Sequence, residues 1–240
     1  MKQHEAVIEV MKSNGGFATL GQLYAEALKI SGVEWKTKTP FASIRRIVQN
    51  DKLFFKIRPG LWALKEMESK LPFRAYVRGS GSANSDFNHS YYQGLLVEIG
   101  NLKGFLTAVP NQDKNRLFLE KPLKRIVSAE RFYQFTYERI VQRAQTIDVV
   151  WFNERRLPNS VFEVEHSTDF QNSLLKFLEL QDFNLSLRIV APEARRAEFH
   201  KKLSYEAFRP IQNRVNFVSY ETVSDMHTKA HELEALESRW

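Results

Sequence analysis

Apolar residues recur at helical spacing near the start of the chain and at strand spacing beyond its middle, and the predicted elements follow from that change of period. Ala6, Val7, Val10 and Met11 share one face of a helix over residues 2–12, which Asn14-Gly15-Gly16 breaks. Thr19 is placed to cap a second helix, Leu20 to Lys29, closed by Ser31-Gly32. Thr39-Pro40 opens a third, because proline suits the first helical position, and Phe41, Ile44, Ile47 and Val48 form its buried stripe. Leu53 to Ile57 then reads as a strand, Arg58-Pro59-Gly60 as a turn and Leu61 to Leu64 as the returning strand. Residues 67–88 shift to mixed charge and then to Gly-Ser-Gly-Ser-Ala-Asn-Ser, the composition of a linker. The pattern therefore divides the chain into a domain at 1–66, a connection at 67–88 and a larger domain at 89–240.

Within the larger part, Ala129 to Gln142 reads as an aromatic-rich helix whose Phe132, Tyr133, Phe135 and Tyr137 pack on a sheet. The hairpin that follows organises the rest. Ile147 to Phe152 is apolar and β-branched, and Val161 to Glu165 alternates Val, Phe, Glu, Val, Glu. Side chains repeat every second residue along a strand, so Glu163 and Glu165 share one face, with Ser167 continuing the period and His166 pointing away. If the strands pair, Asp148 reaches the same face. Carboxylates this close repel one another and are costly to desolvate, so either some are protonated or a divalent cation sits among them. Asp148 and Glu163 are the hard oxygen ligands that magnesium takes, with manganese as the alternative. Ordinary solvent-facing acids on an edge hairpin would give the same spacing. A helix-like run, Phe170 to Leu180, and a strand, Leu187 to Pro192, complete the pattern.

Composition narrows the class of partner. With 43% hydrophobic residues the chain can bury a real core, and the absence of cysteine excludes disulfides and thiolate zinc sites. No apolar run is long enough to span a membrane and the first residues lack a secretion signal, which predicts a soluble, intracellular, cytoplasmic protein. The net charge of +7 points to a polyanion. Residues 1–64 hold ten Lys/Arg against five Asp/Glu, so most of the excess lies there.

Asp148, followed after an interval by Glu163-Val164-Glu165, resembles the core motif of the PD-(D/E)XK nuclease superfamily, in a variant where Glu165 stands in the place of the usual lysine. His89 to Gly100 looks like that family's first helix, with Glu98 as its additional acid. The resemblance covers residues 88–220 and implies an α-β-β-β-α-β core within a mixed α/β fold. It also implies a magnesium-dependent endodeoxyribonuclease of restriction type, with Asp148, Glu163, Glu165 and Glu98 as catalytic residues. Cutting both strands of duplex DNA implies a homodimer. Lys176, on the helix after the hairpin, is the candidate to replace the absent motif lysine. A nuclease fold that binds DNA without cutting it would carry the same pattern. So would a carboxylate-pair hydrolase such as a glycosidase, although the basic N-terminal part argues against that.

The three short helices and the hairpin of residues 1–66 read as a winged helix-turn-helix, with the third helix available to a DNA major groove. Thr-Pro-Phe…Ile-Arg-Arg and Phe-x-x-Ile-x-x-Gly-Leu-Trp-Ala-Leu resemble the HARE-HTH family of winged helices. Lys36, Lys38, Ser43, Arg45, Arg46, Lys56 and Arg58 are the candidate DNA contacts. The alternative is that Arg45 and Arg46 are solvated and this part binds protein. Arg195, Arg196 and Arg209 either reach a phosphate backbone or pair with nearby acids.

Overall fold

A computed structural model describes residues 1–35, 39–71 and 82–238, and the chain falls into two units: Met1–Ser80 with Ser224–Trp240, and Gly81–Val223. Among the described residues of the first unit, α1 (Gln3–Ser13), α2 (Leu20–Glu26) and α3 (Pro40–Val48) accompany an antiparallel sheet in the order β1-β3-β2, made of β1 (Phe17–Thr19), β2 (Phe54–Arg58) and β3 (Leu61–Leu64). Thr19 caps α2 by accepting from the Gln22 backbone N–H at 3.1 Å, while Gln22 Oε1 accepts from the Thr19 N–H at 2.8 Å, so two end donors of the helix are satisfied reciprocally. Val7, Val10, Met11, Leu23, Tyr24, Phe41, Ile44 and Val48 form the core with Phe54 and Leu64. β1 was not expected from the pattern: three buried residues that follow a glycine pair and end in the capping threonine are too few to show a period.

The second unit is built on a five-stranded mixed sheet in the order β10-β9-β8-β7-β4. The long helix α4 (Ser82–Leu102) leads into β4 (Leu106–Ala108). A two-stranded ribbon, β5 (Leu117–Phe118) with β6 (Lys121–Pro122), and α5 (Glu138–Ala144) come next. Then follow β7 (Val149–Phe152), β8 (Pro158–Val164), α6 (Phe170–Leu178), β9 (Ser186–Ala191), α7 (Arg196–Leu203) and β10 (Val215–Ser219). β4, β7 and β8 pair antiparallel, whereas β8, β9 and β10 run parallel, α6 and α7 supplying the crossovers that parallel pairing requires. Phe152, Phe170, Leu174, Phe177, Leu187, Ile189 and Phe199 are wholly buried here, each contributing about 1.5–3 kcal/mol by leaving water. α8 (Tyr220–Glu237) starts in this unit, and from Ser224 onward its residues count with the first.

Three stretches of the structure differ from the sequence pattern. The segment expected to link the domains is helical at both ends, a 3-10 helix covering Lys65–Lys70 and α4 starting at Ser82, while 72–81 lies outside the described residues. The residues from Ser224 onward count with the first unit, and Ala235 packs against its core. The helix expected over Ala129–Gln142 forms only from Glu138. Before it, Phe132 and Tyr133 stand edge-on to Phe152 at 5.1 and 5.2 Å and Phe135 edge-on to Phe183 at 5.3 Å. An irregular backbone lets all three aromatics reach the core, which one helical face would not. No helix among the described residues is long and apolar enough to cross a membrane.

Candidate active site

Strand register brings the acids together. Val149 pairs with Phe162 in the antiparallel β7–β8 ladder, so the next pair outward sets Asp148 opposite Glu163, on one face of the sheet. Asp148 Oδ2 accepts the Val164 backbone N–H at 2.7 Å, which fixes the carboxylate at the end of the ladder. Glu165, just past the strand, is held by its own backbone N–H, donated to Val190 O at 2.8 Å across the parallel β8–β9 junction. All three acids are buried, with Glu163 only 2% exposed.

α6 supplies the next layer. Asp169 caps it, accepting the Gln171 N–H at 2.9 Å, and Phe170, Leu174 and Phe177 turn into the core. The adjacent stripe, Ser173 and Lys176 at i and i+3, is thereby presented to the acids. Ser173 Oγ lies within hydrogen-bond reach of both Glu163, at 3.0 Å, and Glu165, its one hydrogen shared between them, and Thr168 Oγ1 donates to the other oxygen of Glu165. Lys176 Nζ lies 2.9 Å from both oxygens of Glu163 and 2.8 Å from Thr146 O. The third side of the cluster is α4. His89 Nε2 is 3.1 Å from Asp148 Oδ2, and Gln93, one turn on, donates to Asp148 O at 3.0 Å and to Asp113 Oδ2 at 2.9 Å. Asp113 in turn pairs with Arg116 at 2.9 Å, and Arg116 lies 3.5 Å from His89 Nδ1.

Burial and the facing charge of Asp148 push the Glu163 carboxyl well above its ordinary range, against the pull of Lys176. Burial likewise raises Glu165, partly offset by the Ser173 hydroxyl. For His89, burial disfavours the imidazolium, but the hydrogen bond and charge of Asp148 outweigh it and the pKa moves up. These shifts describe a site with more negative charge than its own cations neutralise. Three buried oxygen donors with one lysine and one histidine beside them suit a small divalent cation, and Asp148 and Glu163 are the pair that could hold it.

The family model described as the type II restriction enzyme NmeDI C-terminal domain matches residues 70–239. The chain belongs to that family. It is also 26% identical over 151 residues to the type II restriction enzyme NmeDI of Neisseria meningitidis serogroup C, an alignment covering 58% of this chain and 42% of the relative. The chain thus spans less than half the length of that relative. No solved structure matches it. Every residue of the acid cluster lies inside the NmeDI C-terminal match, whereas α1, α2, α3 and their sheet lie outside it.

The remaining predicted residues are placed differently. Glu98 follows His89 on α4 by about two and a half turns, which carries it roughly 13 Å along the axis and to the opposite side of the helix from the acids. It therefore does not join them in the way expected. Because β8 ends at Val164, the alternation lapses there, and Thr168 rather than Ser167 reaches Glu165. His166 turns toward Asn88 and Tyr220, at 3.5 and 3.4 Å. Arg195 braces the turn after the strand, donating to Thr168 O at 2.7 Å and pairing with Glu198, while Arg196 pairs with Glu193 and Arg209 with Glu206. In the first unit Arg46 and Lys56 are exposed and Ser43 is half-buried. Arg45 lies 3.7 Å from Glu232 and over the Tyr24 ring, and Arg58 donates to Ile57 O at 2.9 Å. Lys36 and Lys38 lie outside the described residues.

Sequence reasoning missed His89, Gln93, Asp113, Thr168 and Ser173. His89 and Gln93 sit four residues apart, on one face of a helix, which was a usable signal. Asp113 and Thr168 carry no local pattern.

Proposed function

We propose that this chain is a metal-dependent endonuclease that hydrolyses phosphodiester bonds of duplex DNA, in the manner of a type II restriction enzyme. The observation that carries the reading is the convergence of Asp148, Glu163 and Glu165 at one strand end, with Lys176 on Glu163. The order α4-β4-β7-β8-α6-β9 supports assignment to the PD-(D/E)XK superfamily. Three helices with the β2–β3 hairpin support a winged helix of HARE-HTH type in the first unit, holding duplex DNA through Arg46, Lys56 and their neighbours.

Asp148 and Glu163 would hold magnesium or manganese, which supplies positive charge to a phosphate oxygen and lowers the pKa of water. The residues of the chain do the rest. Glu165, whose carboxyl is raised, takes the proton of the attacking water, and the Ser173 and Thr168 hydroxyls fix its orientation. Lys176 favours the ionised form of Glu163 against burial and the charge of Asp148, and offers its charge to the phosphate as negative charge builds, standing in for the missing motif lysine. His89 orients Asp148 together with the Val164 N–H, both meeting the same carboxylate oxygen. One site cuts one strand, so double-strand cleavage calls for a homodimer.

The test is incubation of the purified chain with methylated and unmethylated duplex DNA, in magnesium or in EDTA, beside Glu163→Ala. Discrete fragments that need both magnesium and Glu163 support the nuclease. DNA that is bound but left intact under every condition supports instead a DNA-binding protein whose nuclease fold has lost its chemistry, with Glu165 as the trace of that loss.

A further inference from the structure

The C-terminal helix carries a second cluster of ligand-type side chains, remote in sequence from the acids. His227 and His231 stand one turn apart on α8, the spacing at which two imidazoles share a helix face. Their Nε2 atoms are 3.2 Å apart, with ring centroids at 4.6 Å. Two imidazole nitrogens on one tetrahedral ion, each about 2.0–2.1 Å from it, lie about 3.3–3.4 Å from each other. The observed separation is thus close to the bite of a single metal ion. His231 also turns its far nitrogen toward a carboxylate, Nδ1 lying 3.7 Å from Glu234 Oε2.

The surroundings fit the pair closely. Gly21, in the first turn of α2, faces both rings, and a Cβ there would lie 2.8 Å from His227 Cε1 and 2.8 Å from His231 Cγ. The glycine is what lets the α2 backbone approach them. His227 is buried, 2% exposed, which is an unusual position for an imidazole that serves only as a solvated surface group.

We propose that His227 and His231 form a chelate site for a borderline transition-metal ion such as zinc, cobalt or nickel, with water or a carboxylate completing the coordination. The site is distinct from the acid cluster in chemistry: nitrogen donors select these ions, whereas the oxygen donors of Asp148 and Glu163 suit magnesium. A bound ion closes a loop across one turn and so stiffens α8 where it accompanies the core of the first unit. The proposal does not depend on nuclease activity.

The experiment uses the full chain carrying Glu163→Gln, so that the acid cluster contributes little metal binding, and titrates it with cobalt(II) and then with competing zinc(II). A single cobalt ion with the visible bands of a nitrogen-rich site, displaced by zinc and untouched by excess magnesium, is expected. So is a rise in Tm on adding zinc. Adding His231→Gln should abolish both while leaving far-ultraviolet circular dichroism unchanged. X-ray absorption at the zinc edge of the parent protein gives a second readout that needs no histidine variant, with imidazole scattering expected near 2.0 Å. Absence of imidazole scattering, or cobalt bands that persist in His231→Gln, would overturn the proposal.

Discussion

Replacing Lys176 by methionine keeps the aliphatic stem and removes the ammonium that lies 2.9 Å from both Glu163 oxygens. Only 18% of the lysine side chain and 3% of the Glu163 side chain are exposed, so solvent screens the pair weakly. Removing one partner of such a pair costs about 3–5 kcal/mol if the other charge stays buried and unpaired. Glu163 has an escape, because its carboxyl is already shifted upward and can take a proton, at about 1.4 kcal/mol for each pH unit that must be bridged. The expected loss at neutral pH is therefore about 2–4 kcal/mol, a fall in Tm of roughly 4–16 °C for a unit of this size. Urea denaturation at several pH values in EDTA measures it. The loss should shrink as pH falls, because Glu163 is then protonated with or without Lys176. Glu163→Gln should remove most of the effect of Lys176→Met, giving a coupling of about 1–3 kcal/mol in a double-mutant cycle. A single-variant loss below about 0.5 kcal/mol, or strict additivity with Glu163→Gln, would refute the reasoning.

In EDTA, Glu163 and Glu165 both have carboxyls raised above their ordinary value of 4.5, so each favours folding when protonated. Their contribution is fully present below pH 4.5 and is lost as pH rises through the raised values; thermal melts across that range should show this loss, and magnesium should reverse it at the alkaline end. Gly100→Ala puts a Cβ 2.5 Å from Thr107 Cγ2 and 2.7 Å from Trp151 Nε1, where α4 meets the sheet, and chemical denaturation should show a loss of about 1–3 kcal/mol. Arg46→Glu and Lys56→Glu change exposed charges in the first unit; each should weaken duplex binding similarly across sequences and lower the slope of log affinity against log salt by about 1. Arg45→Ala should do less, since Arg45 is engaged with Glu232 and Tyr24.

The acids were legible because a strand announces its faces: Val161 to Glu165 alternates, and the antiparallel partner of Glu163 is Asp148. Lys176 was within reach of the same reasoning, since the next helix must return over the sheet. What the sequence withheld lies in long-range topology. His89 meets Asp148 across 59 positions, and nothing local in either segment specifies that α4 crosses the start of β7. Glu98 was singled out as an acid in a largely apolar stretch of helix, while its angular position relative to His89 sets which way it faces. The aromatics from Phe132 to Phe135 misled for a different reason. Their burial was readable, but the backbone that achieves it is irregular and leaves no period. The C-terminal half of α8 went unread because its mixed, strongly polar composition has no continuous apolar stripe.

Calorimetric titration of the metal-free chain with magnesium, beside Asp148→Asn and Glu163→Gln, tests most directly whether the acid cluster holds the ion on which the proposed chemistry depends. The account predicts saturable binding with release of protons in the parent and its loss in both variants, with all three proteins equally folded by circular dichroism. Binding of equal strength in all three, or none in the parent even with duplex DNA present, would contradict it.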